Sequence, residues 1–312
     1  KTEISEKDFV KFVERDGISI IGQSADIAPV DKILYALRDV TGTVDSIPLI
    51  AASIMSKKLA DGSDAIVLDV KYGSGAFMKT PEEAINLAKV MVSIGENNGK
   101  STIAIVTNMD QPLGSAVGNS LEVIEAIEAL SGKAPRDILI ECEALSENML
   151  IAGNKASNLD EAKVKIREAI ESGKALEKFK AMVRNQGGDS SYVDDVDKFP
   201  KARLAIDKIA DKECYVSAIN AEEIGKSSLL LGAGRVKITD EIDFSVGLKI
   251  LKKVGDHVLS GEPIFTVYAN DELKAEEAIN KAYAAYEFSG DVVEVENSPI
   301  YAIVSKNGVD KQ

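Results

Sequence analysis

The chain has 312 residues, too many for one compact core and suited to two domains of about 150 residues each. Its 45% hydrophobic and 28% charged residues are typical of an ordinary globular protein. Acidic side chains outnumber basic ones by 51 to 37, and the net charge of −14 disfavours nucleic acid and anionic membrane surfaces as partners, because such a surface repels phosphate.

Cysteine usage and apolar runs narrow the class of protein further. Cys142 and Cys214 lie far apart without a CxxC pair, which argues against a disulfide framework or zinc site and favours the cytoplasm. The longest apolar run, Ile47–Met55, is too short to span a bilayer. No signal peptide is recognisable, and a first residue other than methionine, directly before a helix start, leads us to expect a trimmed or incomplete chain.

The first part of the chain alternates apolar β-branched runs with helical stretches. A capping box at Thr80–Glu83, with proline at the first helical position, predicts a helix to about Glu96, and Gly118–Leu130 predicts another. Such alternation predicts an α/β domain with a parallel sheet. Its buried strands are expected where continuous apolar runs are bounded by turn residues, at Ile18–Gly22, Ala65–Val70 and Thr102–Thr107.

Two successive helices interrupt this rhythm between the first and second strands. They are predicted at about Val30–Val40 and Ser46–Leu59, with no strand between them. We therefore expect an inserted helix pair, within residues 30–60, that packs away from the sheet. Arg136–Asn185 is mostly helical, and the turn-rich Gly187–Pro200 segment predicts the end of a first domain of residues 1–200.

Residues 201–312 are expected to form an α+β C-terminal domain. Short strands are separated by turns and by one helix, predicted at about Glu272–Phe288. The Lys253–Tyr268 segment resembles the hammerhead turn of biotinyl and lipoyl carriers, which implies a barrel-sandwich-like part; it lacks their lysine tripeptide, so the resemblance concerns fold only. The predicted strands are Tyr215–Ile219, Val236–Ile238, Val246–Ile250, Ile264–Tyr268 and Ile300–Ser305.

The helix pair carries the side chains with the clearest chemistry. Ser53 and Lys57 are four residues apart and share one helix face, flanked by Ile50. Tyr35 and Arg38 share a side of the preceding helix. A short link between the helices would make these side chains converge on a pocket with apolar walls, a hydroxyl and two cations. Such a pocket suits a planar heterocycle that gains negative charge as it leaves a sugar.

Ordinary structural interpretations remain open for these and other motifs. Spacing alone favours Lys57 and its neighbour as solvated charges that complement the helix dipole. Gly73–Gly75 could cradle a phosphate at a helix N-terminus, but a lone GxG is a weak signal. His257, the chain's one histidine, lies in the barrel-like turn and is expected to be structural.

Four strings in the same order closely resemble the thymidine and pyrimidine-nucleoside phosphorylases over essentially the whole chain. The resemblance makes the helix pair a remnant of that family's α domain. It implies that Arg38, Ser53 and Lys57 bind the pyrimidine edge and act catalytically, and that Tyr35, Ile50 and Phe77 line the base pocket. The matching strings are Tyr35–Lys58, Asp64–Thr80, Asp110–Glu128 and Leu229–Arg235.

The resemblance also implies a cation site. In the bacterial pyrimidine-nucleoside enzymes two main-chain carbonyls and one carboxylate hold a potassium-like ion, and the matching positions are Leu113, Ala116 and Glu125. Oxygen-only ligation suits potassium or another hard cation such as calcium, and not zinc.

The implied activity is phosphorolysis of pyrimidine nucleosides (uridine, thymidine, deoxyuridine) by inorganic phosphate, to free base and (deoxy)ribose 1-phosphate. The residues of these motifs favour the bacterial pyrimidine-nucleoside enzyme, which accepts both uridine and thymidine, over a strict thymidine enzyme. The resemblance also implies that the full-length protein is a cytoplasmic homodimer. The family's phosphate loops, one of which carries its candidate proton-donor histidine, do not occur in this sequence. We therefore expect little or no phosphorolysis from this chain by itself.

Two other functions remain open. The related phosphoribosyltransferase fold that makes anthranilate nucleotides would need a diphosphate-and-magnesium site and has no reason to keep the Arg38, Ser53 and Lys57 set. A non-catalytic fragment or binding scaffold that retains only the base pocket is the alternative from another class.

Overall fold

A computed structural model describes residues 1–22, 28, 30, 31, 34, 41, 43, 46–237, 239–296 and 298–312. None of the described helices is long and apolar enough to cross a bilayer. The helices are α1 (Glu6–Asp16), α2 (Ile47–Ala60), α3 (Pro81–Asn97), α4 (Asn119–Leu130), α5 (Arg136–Ala152), α6 (Leu159–Glu171), α7 (Lys174–Asn185), α8 (Ser191–Asp194), α9 (Ala221–Leu231) and α10 (Glu272–Ala284), with a 3₁₀ turn at Val196–Lys198.

The strands form three sheets. The first has the order β1-β2-β10-β11, the second β3-β6-β8-β4 and the third β7-β5-β9. The strands are β1 (Ala65–Tyr72), β2 (Ser101–Asn108), β3 (Ala116–Val117), β4 (Leu204–Ile209), β5 (Cys214–Ile219), β6 (Gly247–Ile250), β7 (His257–Val258), β8 (Pro263–Ala269), β9 (Tyr286–Ser289), β10 (Ile300–Ser305) and β11 (Gly308–Lys311).

Two of the three predicted parallel strands are confirmed. β1 and β2 pair in parallel along their full length, from Ala65 opposite Ser101 to Tyr72 opposite Asn108. Alternate β1 residues pack into a core with α2 and α3, and the opposite face of β1 contacts α5. Helix α3 begins as predicted, with the Thr80–Glu83 capping box formed in both directions.

The strand predicted at Ile18–Gly22 is wrong. The buried Gln186 at the end of α7 takes the place of a neighbouring strand: its side-chain amide donates to the Ile20 carbonyl (2.7 Å) and its oxygen accepts from the Ile20 N–H (2.8 Å). The Gly22 N–H donates to the Thr2 carbonyl, so this apolar run finds its backbone partners outside a sheet, which hydrophobic pattern alone does not reveal.

The second helix of the predicted pair is confirmed as α2, whereas the first, at about Val30–Val40, lies mostly outside the described residues. The 236–238 strand is not formed at Val236 or Lys237, and Ile238 is outside the described set. The long helix predicted to reach Phe288 ends at Ala284, because the chain turns there and β9 pairs with β5.

The division at residue 200 remains a prediction, but the last predicted strand needs a correction. β10 lies antiparallel to β2 in the first sheet, with β11 beside it, rather than in the C-terminal sheets. The reason is burial: Ala302 and Val304 are 0% and 1% exposed and belong to the core of the first sheet. The rest of the C-terminal part packs around a separate core, whose largest fully buried side chains include Ile224, Leu248, Ile250, Ile264 and Phe265.

A buried polar cluster holds α5 against the first sheet. The Lys71 ammonium donates to the Thr107 hydroxyl (3.1 Å) and pairs with the carboxylates of Asp69 (2.7 Å) and Glu141. Glu141 is 2% exposed, and its Oε2 has no hydrogen-bond partner among the described residues. Desolvation raises the pKa of Glu141 above its ordinary value of 4.5, with Lys71 opposing the shift and Asp69 adding to it.

This cluster predicts the pH dependence of stability. A raised pKa means that the folded protein favours protonated Glu141, so the free energy of unfolding falls as the pH rises from 4.5 towards the pKa of the folded state, by at most about 1.4 kcal/mol for each pH unit. Replacing Glu141 with uncharged glutamine removes this loss. In urea titrations, Glu141→Gln is expected to gain stability relative to wild type between pH 4.5 and pH 7.

Glu143→Gln is the matched control, since Glu143 lies on the same helix but is exposed. Because Glu143 takes no part in the Lys71 cluster, Glu143→Gln should not reproduce the gain expected for Glu141→Gln. A Glu141→Gln variant that loses stability relative to wild type as the pH rises contradicts the interpretation.

Candidate active site

Helix α2 positions the polar side chains expected to bind a heterocycle. It starts after Ser46, has Pro48 in its first turn, and buries Ser53. One turn later, the Lys57 ammonium donates to the Ser53 hydroxyl at 3.2 Å, so the predicted serine–lysine pair is brought together. Tyr35 and Arg38, the other predicted members of this group, lie outside the described residues.

Asp31 is a member of the site that the sequence reasoning missed. Its carboxylate accepts from Lys57 Nζ at 3.0 Å and is 8% exposed, against 27% for the lysine side chain. The signal was present in the spacing, since Asp31, Tyr35 and Arg38 are four and three residues apart. The buried carboxylate fixes the ammonium, which donates through two N–H groups to Asp31 and Ser53.

A cleft of about 540 Å³ adjoins this part of α2. Ile50 and Ile54 line it, and they alternate with Ser53 and Lys57 along one stripe of the helix, so the polar pair borders the apolar wall. Phe77 lines the cleft as predicted and is 66% exposed. The other lining residues are Asp69, Val70, Lys71, Ser74, Gly75, Ala76, Met78, Lys79, Leu87, Met91, Met109 and Glu222.

The loop after β1 forms a fixed wall of the cleft and does not cradle a phosphate. The four backbone N–H groups of Gly73–Ala76 are bonded within the protein: Gly73 donates to Met78, Ser74 to the Asp110 carboxylate, Gly75 to Met109, and Ala76 to Gly73. Gly73 has a φ of +111°, and a Cβ there would lie 2.7 Å from the Asp110 amide nitrogen. Only glycine fits this turn, which directs the chain towards Phe77.

The three residues matched to a cation site lie around the loop after β2. Glu125 of α4 is 8% exposed, and its carboxylate accepts from the N–H groups of Ser115 (2.8 Å) and Ala116 (3.3 Å). Gly114 lies against it with φ +70°, where a Cβ would be 2.3 Å from Glu125 Oε2. The loop is therefore a close-fitting cradle around a buried carboxylate.

The orientation of the Ala116 carbonyl follows from the β3–β6 ladder. Ser115 accepts from the Ile250 N–H at 2.7 Å, so the next pair, Ala116 and Lys249, is a non-hydrogen-bonded pair. Both backbone groups of Ala116 then point away from β6, to the side where its N–H meets Glu125. Two carbonyls and a carboxylate fit a hard cation of low charge. Among the described residues no three histidine, cysteine or acidic side chains are grouped so that they could hold a metal ion.

His257 lies apart from this site, on β7 of the C-terminal part. Its Nε2 is 2.9 Å from the Glu213 carboxylate, and its ring stacks on Tyr215 with centroids 4.7 Å apart. The imidazole thus interacts with Glu213 and Tyr215 at the protein surface, away from the cleft.

Two family models match the chain. The model described as "Glycosyl transferase family, a/b domain" matches residues 1–176, and "Pyrimidine nucleoside phosphorylase C-terminal domain" matches residues 215–289. The pyrimidine-nucleoside phosphorylase of Bacillus subtilis (strain 168) is 55% identical over 281 residues, which cover 90% of this chain. That of Staphylococcus haemolyticus (strain JCSC1435) is 54% identical over 270 residues, 86% of this chain.

The chain spans 65% of the length of the Bacillus relative and 62% of the Staphylococcus one. The first family model covers more than half of this chain and takes in α2, β1, β2 and the loop around Glu125. The second covers most of the C-terminal sheets. The chain therefore belongs to the glycosyl transferase family, and within it is similar to the pyrimidine-nucleoside phosphorylases.

Proposed function

We propose that this chain supplies the base-binding part of an enzyme that catalyses phosphorolysis of pyrimidine nucleosides, uridine, thymidine and deoxyuridine, to the free base and (deoxy)ribose 1-phosphate. By itself the chain is expected to have little or no activity, because the family's phosphate loops do not occur in its sequence. The observation that carries the proposal is the Lys57 ammonium, held by buried Asp31 and by Ser53 beside an apolar cleft. The names of the Bacillus and Staphylococcus relatives support the substrate class. Assembly as a homodimer in the cytoplasm is part of the proposal, and the free thiols of Cys142 and Cys214 agree with a reducing compartment.

In this reaction a phosphate oxygen attacks the anomeric carbon, and the bond from that carbon to the base nitrogen breaks. The bonding electron pair moves onto the pyrimidine ring and its carbonyl oxygens, and the base then takes up a proton. A cation fixed beside a carbonyl stabilises this developing anion more than the neutral ground state. We assign that role to Lys57 and Arg38, with the Ser53 hydroxyl orienting the pyrimidine edge.

Asp31 determines how Lys57 acts. A free lysine side chain has many rotamers, and ordering it costs up to about 2 kcal/mol of conformational entropy. Because the hydrogen bond to buried Asp31 already orders Lys57 in the folded protein, this entropy is lost on folding and not on substrate binding. The ammonium is thus preorganised, which electrostatic stabilisation of a transition state requires.

The apolar members of the site hold the ring of the base. Ile50 lines the cleft from α2 and Phe77 from the loop after β1. The Phe77 ring is 66% exposed at the cleft, so its face is available to stack on a planar base. We assign base contacts to both residues and to Tyr35.

The cation site is a second part of the proposal. Potassium would be held by the carbonyls of Leu113 and Ala116 and the carboxylate of Glu125, with calcium as another hard cation of suitable chemistry. A bound ion would supply positive charge against a buried carboxylate. Two observations support this cation site. Gly114 lies close against the Glu125 carboxylate, and the backbone of Ala116 faces the same carboxylate.

The base-binding role predicts the effect of removing one charge. Lys57→Ala is expected to weaken uracil binding to the 312-residue chain by about tenfold or more, as expected for loss of a charge-assisted hydrogen bond. Isothermal calorimetry measures this. Lys58→Ala is the control, because it removes the neighbouring exposed lysine and leaves the net charge of the two variants equal. Loss of binding in both variants, or in neither, contradicts the assignment, and absence of binding in wild type favours a bare scaffold.

The role of Asp31 predicts coupling to Lys57. Asp31→Asn is expected to weaken uracil binding on its own, because it removes the carboxylate that fixes the Lys57 ammonium. It should add nothing in a chain that already carries Lys57→Ala. A double-mutant cycle by calorimetry measures the coupling free energy, and additive losses in the two single variants would show that Asp31 acts independently of Lys57.

The reaction itself is tested with uridine and inorganic phosphate. A protein that contains this chain together with the family's phosphate loops is expected to release uracil only when phosphate is present. Lys57→Ala should lower its kcat by about 10²–10³-fold, the usual effect of removing one group that stabilises transition-state charge. Absorbance of released uracil measures both. Phosphate-independent release, or an unchanged rate in Lys57→Ala, would overturn the mechanism.

A further inference from the structure

Lys253 connects the C-terminal part of the chain to the proposed cation loop. It follows β6, and its ammonium reaches the loop after β2, where it donates to the carbonyls of Pro112 and Gly114 (2.8 Å for Gly114). The same nitrogen pairs with the Asp137 carboxylate at 2.9 Å. These three acceptors match the three N–H groups of a lysine, so the side chain is fully engaged.

The contacts of Lys253 are selective within the loop. The segment Pro112–Ala116 has five carbonyls, and three of them are bonded: Lys253 takes those of Pro112 and Gly114, and the Ile250 N–H takes that of Ser115. The other two belong to Leu113 and Ala116, the pair proposed to bind potassium. The lysine thus binds the loop beside the proposed ligands without using them.

Charge within the segment agrees with a monovalent ion. Three charged side chains bond to Pro112–Ala116: Lys253 through the carbonyls, Glu125 through two N–H groups, and Asp137 through the Gly114 N–H at 3.0 Å. One positive and two negative charges leave a single negative charge. One monovalent cation neutralises it, whereas a divalent ion would leave an excess positive charge close to the lysine.

We infer that Lys253 is a positioning residue for a monovalent-cation site formed by Leu113, Ala116 and Glu125. By fixing the carbonyls on either side of Leu113 it restricts the loop to the conformation in which Leu113, Ala116 and Glu125 remain available to an ion. Preorganisation of this kind lowers the conformational cost of binding. Because Lys253 follows β6, cation binding is coupled to docking of the C-terminal sheet. The inference rests on the potassium site proposed above.

The test measures how potassium stabilises the 312-residue chain. Sodium is exchanged for potassium at constant total chloride, and the thermal midpoint is followed by circular dichroism. For wild type the midpoint should stay level at low potassium and rise with the logarithm of the potassium concentration above the dissociation constant, as linkage requires for an ion that binds the folded state. In Lys253→Met the potassium dissociation constant fitted from this rise is expected to increase about tenfold or more, a shift in binding free energy of about 1.4 kcal/mol.

Lys249→Met is the matched control. Lys249 is exposed on β6 opposite Ala116, its side chain makes no ion pair among the described residues, and its loss changes the net charge by the same amount. Its fitted potassium dissociation constant should equal that of wild type. Glu125→Gln, which removes the proposed carboxylate ligand, should abolish the potassium response.

The outcomes separate the two proposals. If wild type shows no difference between sodium and potassium, the cation site fails and the role of Lys253 fails with it. If wild type responds but Lys253→Met lowers the midpoint equally in both salts with an unchanged potassium dissociation constant, the lysine is merely structural and only the inference about Lys253 fails. Restoration of the potassium response in Lys253→Arg would support positioning by a cationic donor.

Discussion

The parallel pairing of β1 with β2 is the constraint on which the candidate site depends. With Tyr72 opposite Asn108, both strands end at the same edge of the sheet, and their following loops start side by side. The loops then bond to each other, Met109 donating to Tyr72 and Gly75 to Met109. One loop becomes the cleft wall that carries Phe77, and the other continues to Glu125's cradle. The carboxyl edge of parallel strands is where open α/β sheets bind ligands.

What could be predicted from the sequence was local in origin. The capping box before α3 and the apolar runs of β1 and β2 define their own structure, and the four-residue spacing of Ser53 and Lys57 defines their contact. The failures required distant partners: Gln186 replaces a strand beside Ile20, and β10 pairs with β2. Asp31 was missed for the same reason, since its bond to Lys57 joins two segments whose packing no local pattern specifies.

Cations at this edge of the protein share one arrangement. In a chain with a net charge of −14, Lys57, Lys71 and Lys253 are each bonded to at least one carboxylate and to a neutral oxygen. Their positive charges are local and fixed in direction rather than part of a cationic surface. Such an arrangement lets an acidic protein present a local positive charge without attracting polyanions in general.

The return of β10 to the first sheet has a consequence for the order of folding. On the ribosome, β1 and β2 emerge early, but the neighbour of β2 emerges only after the strands of both C-terminal sheets have been made. Until then one edge of β2 is unpaired. The pairing of β2 with β10 joins residues that are far apart in sequence, so it has a high contact order and forms slowly. Edges of this kind recruit other chains, so nascent copies of this protein should depend on chaperones more than its separate α/β and α+β parts would suggest.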